Sequence, residues 1–547
     1  MSVVKDNSEL SFIICEEKMS YKILWYSLPS LHDNSNGAAI HNKVMLEALA
    51  ARGFQVKALN ALVADDPQGL NVFERIAKQV NAQPDANYIQ FTDTGVEYIV
   101  ARTKGHVSND VTAEDQGKVF DLFVQFLEKF NPDVLIGYSG DCFSALVRHE
   151  AKARGIPVVY ALCNGLHRSF AFPDCDLVFT PSEATANMYR EVDGIDVKAV
   201  GQFIYKERVT VPNRDVAKAK YVTLVNPTPE KGLAIFAKIA EVFARKHPEQ
   251  KFLVVKSVGD YYKIFNHMHN DDGSRFLPAG MVNLPNIDVA EHTDDIRLVY
   301  DVTKVLVTPS VWHEAWGCVA TEATFNGIPV LSSKSGGLPE AVGEGGILLE
   351  APEKTLKDFY RVPTDEEIAP WVEALERLLS EDWSEQCKKA SERNDLNRSI
   401  DRLLEYLNPI MEKGSKEKAP LERSFFFSAE TMKKRKAYYI AEAKKNGVEL
   451  ETNTQEEPKD QEPTKDAPKK AAAKKTTAAK TTKSKADSTS DTKAPAKKAS
   501  TAKKTVAKKP AAKKTTAAAD KKWLSKQLVS NIASEHACKF SKHQAAS

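Results

Sequence analysis

Two glutamates, Glu314 and Glu322, stand either side of a glycine in the segment TPSVWHEAWGCVATEATFNGIPVLSSKSGGLPE (Thr308–Glu340). The apolar run ending in Thr308-Pro309-Ser310 reads as a strand, and Gly317 opens a helix that holds Glu322. A helix start offers backbone N–H groups without intrahelical acceptors and the positive end of the helix dipole, which suits a diphosphate. Gly317 lets the backbone approach such an anion closely. Glu322, about one turn inside the helix, can offer its carboxylate to a vicinal diol such as a ribose. Glu314, ahead of the helix, can reach sugar hydroxyls or a reacting centre. Two glutamates near a helix start are by themselves more often solvated flanking acids, so the weight rests on the pattern around them.

Other chemistry-bearing residues read differently. Asp174-Cys175-Asp176 matches an Asp-x-Asp metal motif in form, but these acids precede the apolar run "LVF" instead of closing a strand, and no metal is expected there. His313, beside Glu314, is a candidate base that reads more simply as a partly exposed loop histidine. Trp312 and Trp316 read as packing around the same loop.

The elements that position these residues alternate between strand and helix from Tyr21 to about Pro409. Strands are expected at Lys22–Ser27, Phe54–Leu59, Asp133–Gly137 and Ile156–Leu162, with a helix over Gly37–Arg52 closed by Gly53. Val119, Leu122, Phe123, Phe126 and Phe130 recur at helical spacing, and Asn131-Pro132 ends that helix. A second series runs through Tyr221–Asn226, Lys251–Val255, Lys304–Ser310 and Ile328–Ser333, with Phe236, Ile239, Ala240 and Phe243 on one helix face. Two such series imply an α/β protein with two doubly wound parallel sheets, whose ligands sit beyond the carboxyl ends of the strands.

The 547-residue chain has a formal net charge of only +2, which hides a division. Residues 468–522 hold 18 Lys, no Arg and three acids, so the remainder carries 58 basic and 71 acidic residues. An acidic body with a basic tail speaks to partners, not to fold. Seven scattered Cys without a Cys-x-x-Cys pair fit reduced thiols. No apolar run approaches the ~18 residues of a membrane span, so a cytoplasmic protein without a transmembrane segment is expected.

The succession Glu-x-aromatic-Gly, Glu-Ala, Gly-Ile-Pro-Val and Gly-Gly-x-Pro-Glu closely resembles the donor-site signature of the retaining glycosyltransferase family 4. The resemblance runs through about residues 21–410. "NSNGAAIHNKVMLEALAARGFQV" (Asn34–Val56) looks like that family's glycine loop and first helix, and "DLVFTPSEA" (Asp176–Ala184) like the last strand of its N-domain. "VNPTPEKGLAIF" (Val225–Phe236) looks like the strand–turn–helix that grips the diphosphate. The resemblance implies a GT-B fold of two Rossmann-like domains facing a cleft, acting with retention of configuration and without a metal. It places Gly37 against donor phosphate and acceptor, Lys231 as phosphate clamp, Glu322 on the ribose and Glu314 on the donor sugar. Gly317, Cys318 and Val319 would give backbone donors to the leaving diphosphate, and Glu314 with Lys231 would carry the catalysis. Asn226 stands where an Arg is usual, which brings in Lys256 as a substitute cation. "LIGYSGD" (Leu135–Asp141) lacks the usual histidines, and Cys163-Asn164 replaces a frequent His-Asn. No cofactor is implied beyond a nucleotide sugar as co-substrate, with UDP-sugar favoured.

The expected division is an N-terminal extension (1–20), an N-domain for the acceptor (21–205), a C-domain for the donor (206–395) and a helix returning to the N-domain (396–413). A basic helical segment (414–450), a disordered Lys/Ala/Thr/Pro-rich tail (451–522) and a short terminal segment (523–547) follow. The tail looks similar to those of linker histones; it reads either as a solvated spacer or as a grip on an anionic polymer, nucleic acid first and an anionic membrane surface second, with a modified DNA base a candidate acceptor. Carbohydrate or lipid acceptors stay open, as do a GT-B nucleotide-sugar epimerase and a non-catalytic nucleotide-sugar-binding scaffold. Oligomeric state is not legible.

Overall fold

The computed structural model describes residues 20–416 except 166, 168–171 and 258–259, together with Ala437, Tyr438, Ile440, Ala441 and Lys445. The expected N-terminal extension (bar Ser20), the tail and the terminal segment lie outside these residues, as does most of 414–450.

The first sheet is built from β1 (Lys22–Tyr26), β2 (Gln55–Ala61), β3 (Tyr88–Asp93), β4 (Val96–Ala101), β5 (Val134–Gly137), β6 (Val158–Ala161), β7 (Leu177–Thr180) and β8 (Val197–Ala199). Its order is β3-β4-β2-β1-β5-β6-β7-β8. The second is built from β9 (Tyr221–Val225), β10 (Lys251–Val255), β11 (Ile287–Ala290), β12 (Thr303–Thr308), β13 (Val330–Ser333) and β14 (Gly346–Leu349), in the order β11-β10-β9-β12-β13-β14. Every pairing in the second sheet is parallel. The protein thus has two Rossmann-like domains of the GT-B type.

The first sheet departs from the expectation of a purely parallel array, because β3 pairs antiparallel with β4 at its edge. Thr94 and Gly95 both take positive φ, 48° and 80°, as a tight hairpin turn demands. The short Asp93-Thr94-Gly95-Val96 turn carried that signal, and the helix-and-strand periodicity did not reach it.

Local chemistry fixes the helices. Thr112 and Asp115 form a reciprocal capping box at the start of Ala113–Phe130, and Asn131 ends the helix in the left-handed conformation. The Val119, Leu122, Phe123, Phe126 and Phe130 stripe is buried against the first sheet. The helix Leu396–Lys416 puts Ile400, Leu403, Leu407 and Met411 into the core of the first domain, beside Ile23, Trp25 and Val56. There Arg52 donates to Asp401 at 2.8 Å. The chain therefore crosses back over the domain boundary after completing the second sheet.

In each sheet the connections reverse direction at one strand, β1 in the first and β9 in the second. Crevices at such switch points are where open α/β sheets bind ligands. The helix Gly37–Ala51 follows β1, and the turn bearing Lys231 follows β9.

Candidate active site

The Lys231 turn is specified by backbone geometry. Asn226 takes φ +60°, a left-handed conformation that asparagine accepts more readily than arginine. This gives the missing Arg a conformational context. Lys231 N then donates to Thr228 O at 3.1 Å, and Gly232 takes φ +78°. A β-carbon on Gly232 would lie 1.9 Å from Pro309 O, so only glycine lets this turn press against the loop after β12. Val311 N donates to Glu230 O at 2.9 Å and stitches the two loops together.

That contact brings Lys231 to Glu314. The Glu314 carboxylate is buried, at 7 % exposure, and accepts from Lys231 Nζ and from Ser310 Oγ at 2.7 Å. Burial alone would push its pKa up. The Lys231 charge and the hydrogen bonds from Lys231 and Ser310 outweigh that, holding the carboxyl below its ordinary value. Glu314 is therefore an ionised group in a dry setting, not a solvated flanking acid. The Lys231 ammonium also lies 5.2 Å from the centre of the Trp312 ring, a cation–π distance.

Gly317 is the residue before the helix Cys318–Phe325, not its first member. Its φ is +108°, and a β-carbon would meet Leu338 Cδ2 at 2.4 Å. Glycine is thus required by conformation and packing as well as by any approach of an anion. Cys318 and Val319 open the helix, so their N–H groups have no acceptor in a preceding turn. The Cys318 thiol is pushed up to about 12, first by burial and then by Glu322, and it accepts a hydrogen bond from Gln202 Nε2 at 2.8 Å. Lys231, Glu314 and Cys163 also lie close enough to act on it electrostatically.

Glu322 sits one turn further along. Its Oε2 accepts from the hydroxyl of the fully buried Tyr300 at 2.7 Å. Burial raises its pKa and the Tyr300 hydrogen bond offsets only part of that. Among the described residues no cation pairs with it, in contrast to Glu314. Such a carboxylate gains from further hydroxyl donors, as a vicinal diol would supply.

Gly37 opens its helix on the other domain. It is exposed, a β-carbon there would touch nothing within 4 Å, and the cap is supplied by Asn36 Oδ1, which accepts from Ala38 N at 2.8 Å. Packing does not demand this glycine, and its absent side chain leaves the helix start open. Asn42 of the same helix donates to Cys163 Sγ at 3.4 Å, which links it to the loop facing Cys318. Lys256 is not brought to this group. It pairs with Glu291 at 2.6 Å, beyond the end of β11, and lies over the Tyr262 ring.

Asp174 contacts His149 Nδ1 at 3.1 Å, and Asp176 pairs with Lys152 and accepts from Val158 N at 2.8 Å. Among the described residues no group of three or more His, Cys, Asp or Glu is arranged to hold a metal. Trp316 packs with Leu306, Ala320 and Leu338 and donates to Thr321 Oγ1 at 2.9 Å. His313 lies at the domain boundary, where its Nε2 is 3.0 Å from Thr185 Oγ1 and burial lowers its pKa.

Sequence reasoning missed Tyr300, Ser310 and Gln202, none of which carries a local signal. It also missed His167. This residue sits beside Asn164, with Nδ1 2.6 Å from Tyr160 Oη, and burial pushes it down to about 4. A histidine thus does stand near the ends of β5 and β6, supplied by the following loop.

Residues 212–395 match the family model for Glycosyl transferases group 1. D-inositol 3-phosphate glycosyltransferase of Corynebacterium diphtheriae is 34 % identical over 95 residues, 17 % of this chain and 19 % of the relative. The Corynebacterium kroppenstedtii protein of the same name is 26 % identical over 155 residues, 28 % of this chain and 31 % of the relative. The chain thus spans between a fifth and a third of the length of these relatives. Among solved structures, a glycosyltransferase from Rickettsia africae aligns at 14 % identity with a TM-score of 0.52, over 72 % of this chain and 99 % of that one. Anabaena Alr3699/HepE in complex with UDP-glucose aligns at 18 % identity and TM-score 0.50, over 71 % and 99 %. At these identities the likeness is one of fold.

Proposed function

We propose that this chain transfers a glycosyl unit from a nucleoside-diphosphate sugar to an acceptor hydroxyl, with retention of configuration and without a metal ion. The observation that carries the reading is the convergence of Lys231, Glu314 and Glu322 on the start of the Cys318–Phe325 helix. Lys231 and the Cys318 and Val319 N–H groups take the charge that grows on the departing diphosphate. Glu322 holds the ribose diol. The bond from the anomeric carbon to phosphate oxygen breaks, a bond to the acceptor oxygen forms on the same face, and the acceptor proton passes to the leaving diphosphate. Positive charge grows on the sugar ring meanwhile, and the dry, ionised Glu314 offsets it. UDP-sugar is the donor to test first, because UDP-glucose occupies the Anabaena protein.

A modified DNA base is one acceptor to test, on the strength of the lysine-rich tail, and carbohydrate or lipid acceptors are the alternative. We place the protein in the cytoplasm. Cys142, Cys163, Cys175, Cys318 and Cys387 are free thiols, and no helix among the described residues is long and apolar enough to cross a membrane.

Incubation with labelled UDP-sugars in the presence of EDTA tests the reaction class. Sugar transfer, or nucleotide release to water, is expected at an undiminished rate, and NMR of the product should show the anomeric configuration kept. An altered sugar still on its nucleotide means an epimerase, inert binding means a scaffold, and loss of activity restored by manganese returns Asp174 and Asp176 to the account.

Glu322→Ala is expected to weaken UDP binding by about 1–3 kcal/mol, since it removes a charged acceptor from the ribose. The ionised carboxylate is the binding form. Affinity in the parent should therefore weaken as pH falls through a midpoint above the ordinary Glu value, because the Glu322 pKa is raised. Calorimetric titration with UDP across pH checks both, and a pH-independent affinity in the parent would remove Glu322 from the nucleotide site.

A further inference from the structure

The segment Ser335–Glu340, a Gly336-Gly337 turn running into the short helix Leu338–Val342, has no task in the proposed reaction. It touches two things at once. On one side it supports the Glu314 loop: Gly337 N donates to Glu314 O at 2.7 Å, and Ser335 Oγ donates to Trp312 O. The fit leaves no room for side chains. A β-carbon on Gly336 would lie 2.1 Å from Glu314 O, and one on Gly337 would lie 2.5 Å from Ala315 O.

On its other side the turn grips the first domain. Glu340 Oε2 accepts from Glu183 N and Oε1 from Ala184 N, both at 2.9 Å. These are the first two residues of the helix Glu183–Val192. One carboxylate thus caps a helix of the opposite domain with both oxygens, where the helix dipole favours an anion. Ser182, the residue before that helix, lies against Gly337, since a β-carbon there would fall 2.8 Å from Ser182 Cβ. Ser182 Oγ donates to Thr185 Oγ1 at 2.9 Å, and Thr185 meets His313, the neighbour of Glu314, at 3.0 Å.

We propose that Glu340 is a positioning residue for the transfer reaction: by clasping the Glu183 helix it makes docking of the two domains and placement of the Glu314 loop a single event. The inference rests on the functional reading above for its effect on turnover, but not for the clasp itself. The Gly336-Gly337 backbone is wedged between Glu314 and Ser182, so the Glu314 loop cannot shift without disturbing the domain contact, or the reverse. Glu340 supplies the attraction that holds the wedge closed, and His313–Thr185 adds a second fastening on the same loop.

The test uses the full chain and its Glu340→Gln and Glu340→Ala variants, followed by amide hydrogen exchange, UDP titration and turnover. Exchange at the Glu183 and Ala184 amides should quicken in the order parent, Gln, Ala, because glutamine keeps one acceptor oxygen. The segment 311–316 should loosen in the same order. Turnover should fall by roughly 10–100-fold in Glu340→Ala, the scale for a misplaced reacting group, while UDP affinity and the melting temperature hold. Unchanged exchange in both segments overturns the clasp. Faster exchange with full turnover overturns its positioning role, as does a turnover loss matched by lost UDP affinity or stability. If the parent itself transfers no sugar, the functional reading falls, and exchange in the two segments still decides whether Glu340 couples the domains to the loop.

Discussion

Lys231→Met is expected to lower turnover by about 10²–10³-fold, the scale for removing one preorganised charge from a developing anion. It should also destabilise the protein, because Glu314 would keep its burial and lose its cation. Stranding one partner of a buried ion pair costs ~3–5 kcal/mol. The Lys231 side chain retains 27 % exposure, so water replaces it in part and the cost is put at the lower end, about 3 kcal/mol. The companion Glu314→Gln should unfold close to the parent while turning over slowly, since its loss leaves a partly exposed lysine with access to solvent. The double variant separates the two roles. Lys231→Met with Glu314→Gln should recover most of the stability lost in Lys231→Met and none of the turnover. Denaturant unfolding and turnover on the four proteins form the cycle. Parent-like turnover in Lys231→Met would remove the pair from the chemistry. The pH dependence follows in sign: the Glu314 carboxyl is depressed, so the pair stabilises above the ordinary Glu range and is lost as pH falls through the lower folded value.

How far the site could be read in advance depends on the distance over which each residue acts. Glu314, Gly317 and Glu322 lie on one strand–loop–helix passage, where spacing alone decides which groups share a helix start. Lys231 was reached through the family resemblance of Val225–Phe236 and not through spacing. The partners that hold these residues were not reachable. Tyr300 meets Glu322 from the helix Arg297–Val302 ahead of β12, Gln202 reaches Cys318 across the domain boundary, and Glu340 finds its partners 156 and 157 residues earlier in the chain. Such contacts are products of sheet order, which two alternating series do not specify. Lys256 is a different case. It follows β10 as Asn226 follows β9, so it reads as a neighbouring cation, and its ammonium pairs with Glu291. The β3–β4 hairpin escaped for a third reason, since a two-residue turn at positive φ is written in Thr94-Gly95 and not in any periodicity.

The full chain is expected to bind duplex DNA with an affinity that collapses as salt is raised, and the chain ended at Asn446 is expected to bind it poorly at every salt concentration. Residues 468–522 carry 18 Lys against three acids, while the rest of the chain carries 71 acids against 58 basic residues. Each lysine that neutralises a phosphate releases condensed counterions, so the logarithm of affinity falls linearly with that of salt. With six to ten phosphates engaged, the loss between ~50 and 200 mM is about 10³–10⁵-fold. The binding should be indifferent to sequence, since ammonium groups grip phosphates without reading base edges. Lysine pairs spaced by alanine, threonine and proline suit this, because nothing in them demands a fixed geometry on the polymer. The acidic remainder opposes it, so the tail must supply the whole attraction, and truncation should abolish binding while leaving hydrolysis of the nucleotide sugar intact. An anionic vesicle of phosphatidylserine run through the same salt series separates DNA from a charged surface in general. Tail-dependent binding to the duplex well above that to vesicles would direct the acceptor search to modified bases, which must be single-stranded or flipped out of the stack to meet Glu314. Equal DNA binding by the full and shortened chains, or none by either, would leave the tail a spacer and return the acceptor to carbohydrate or lipid.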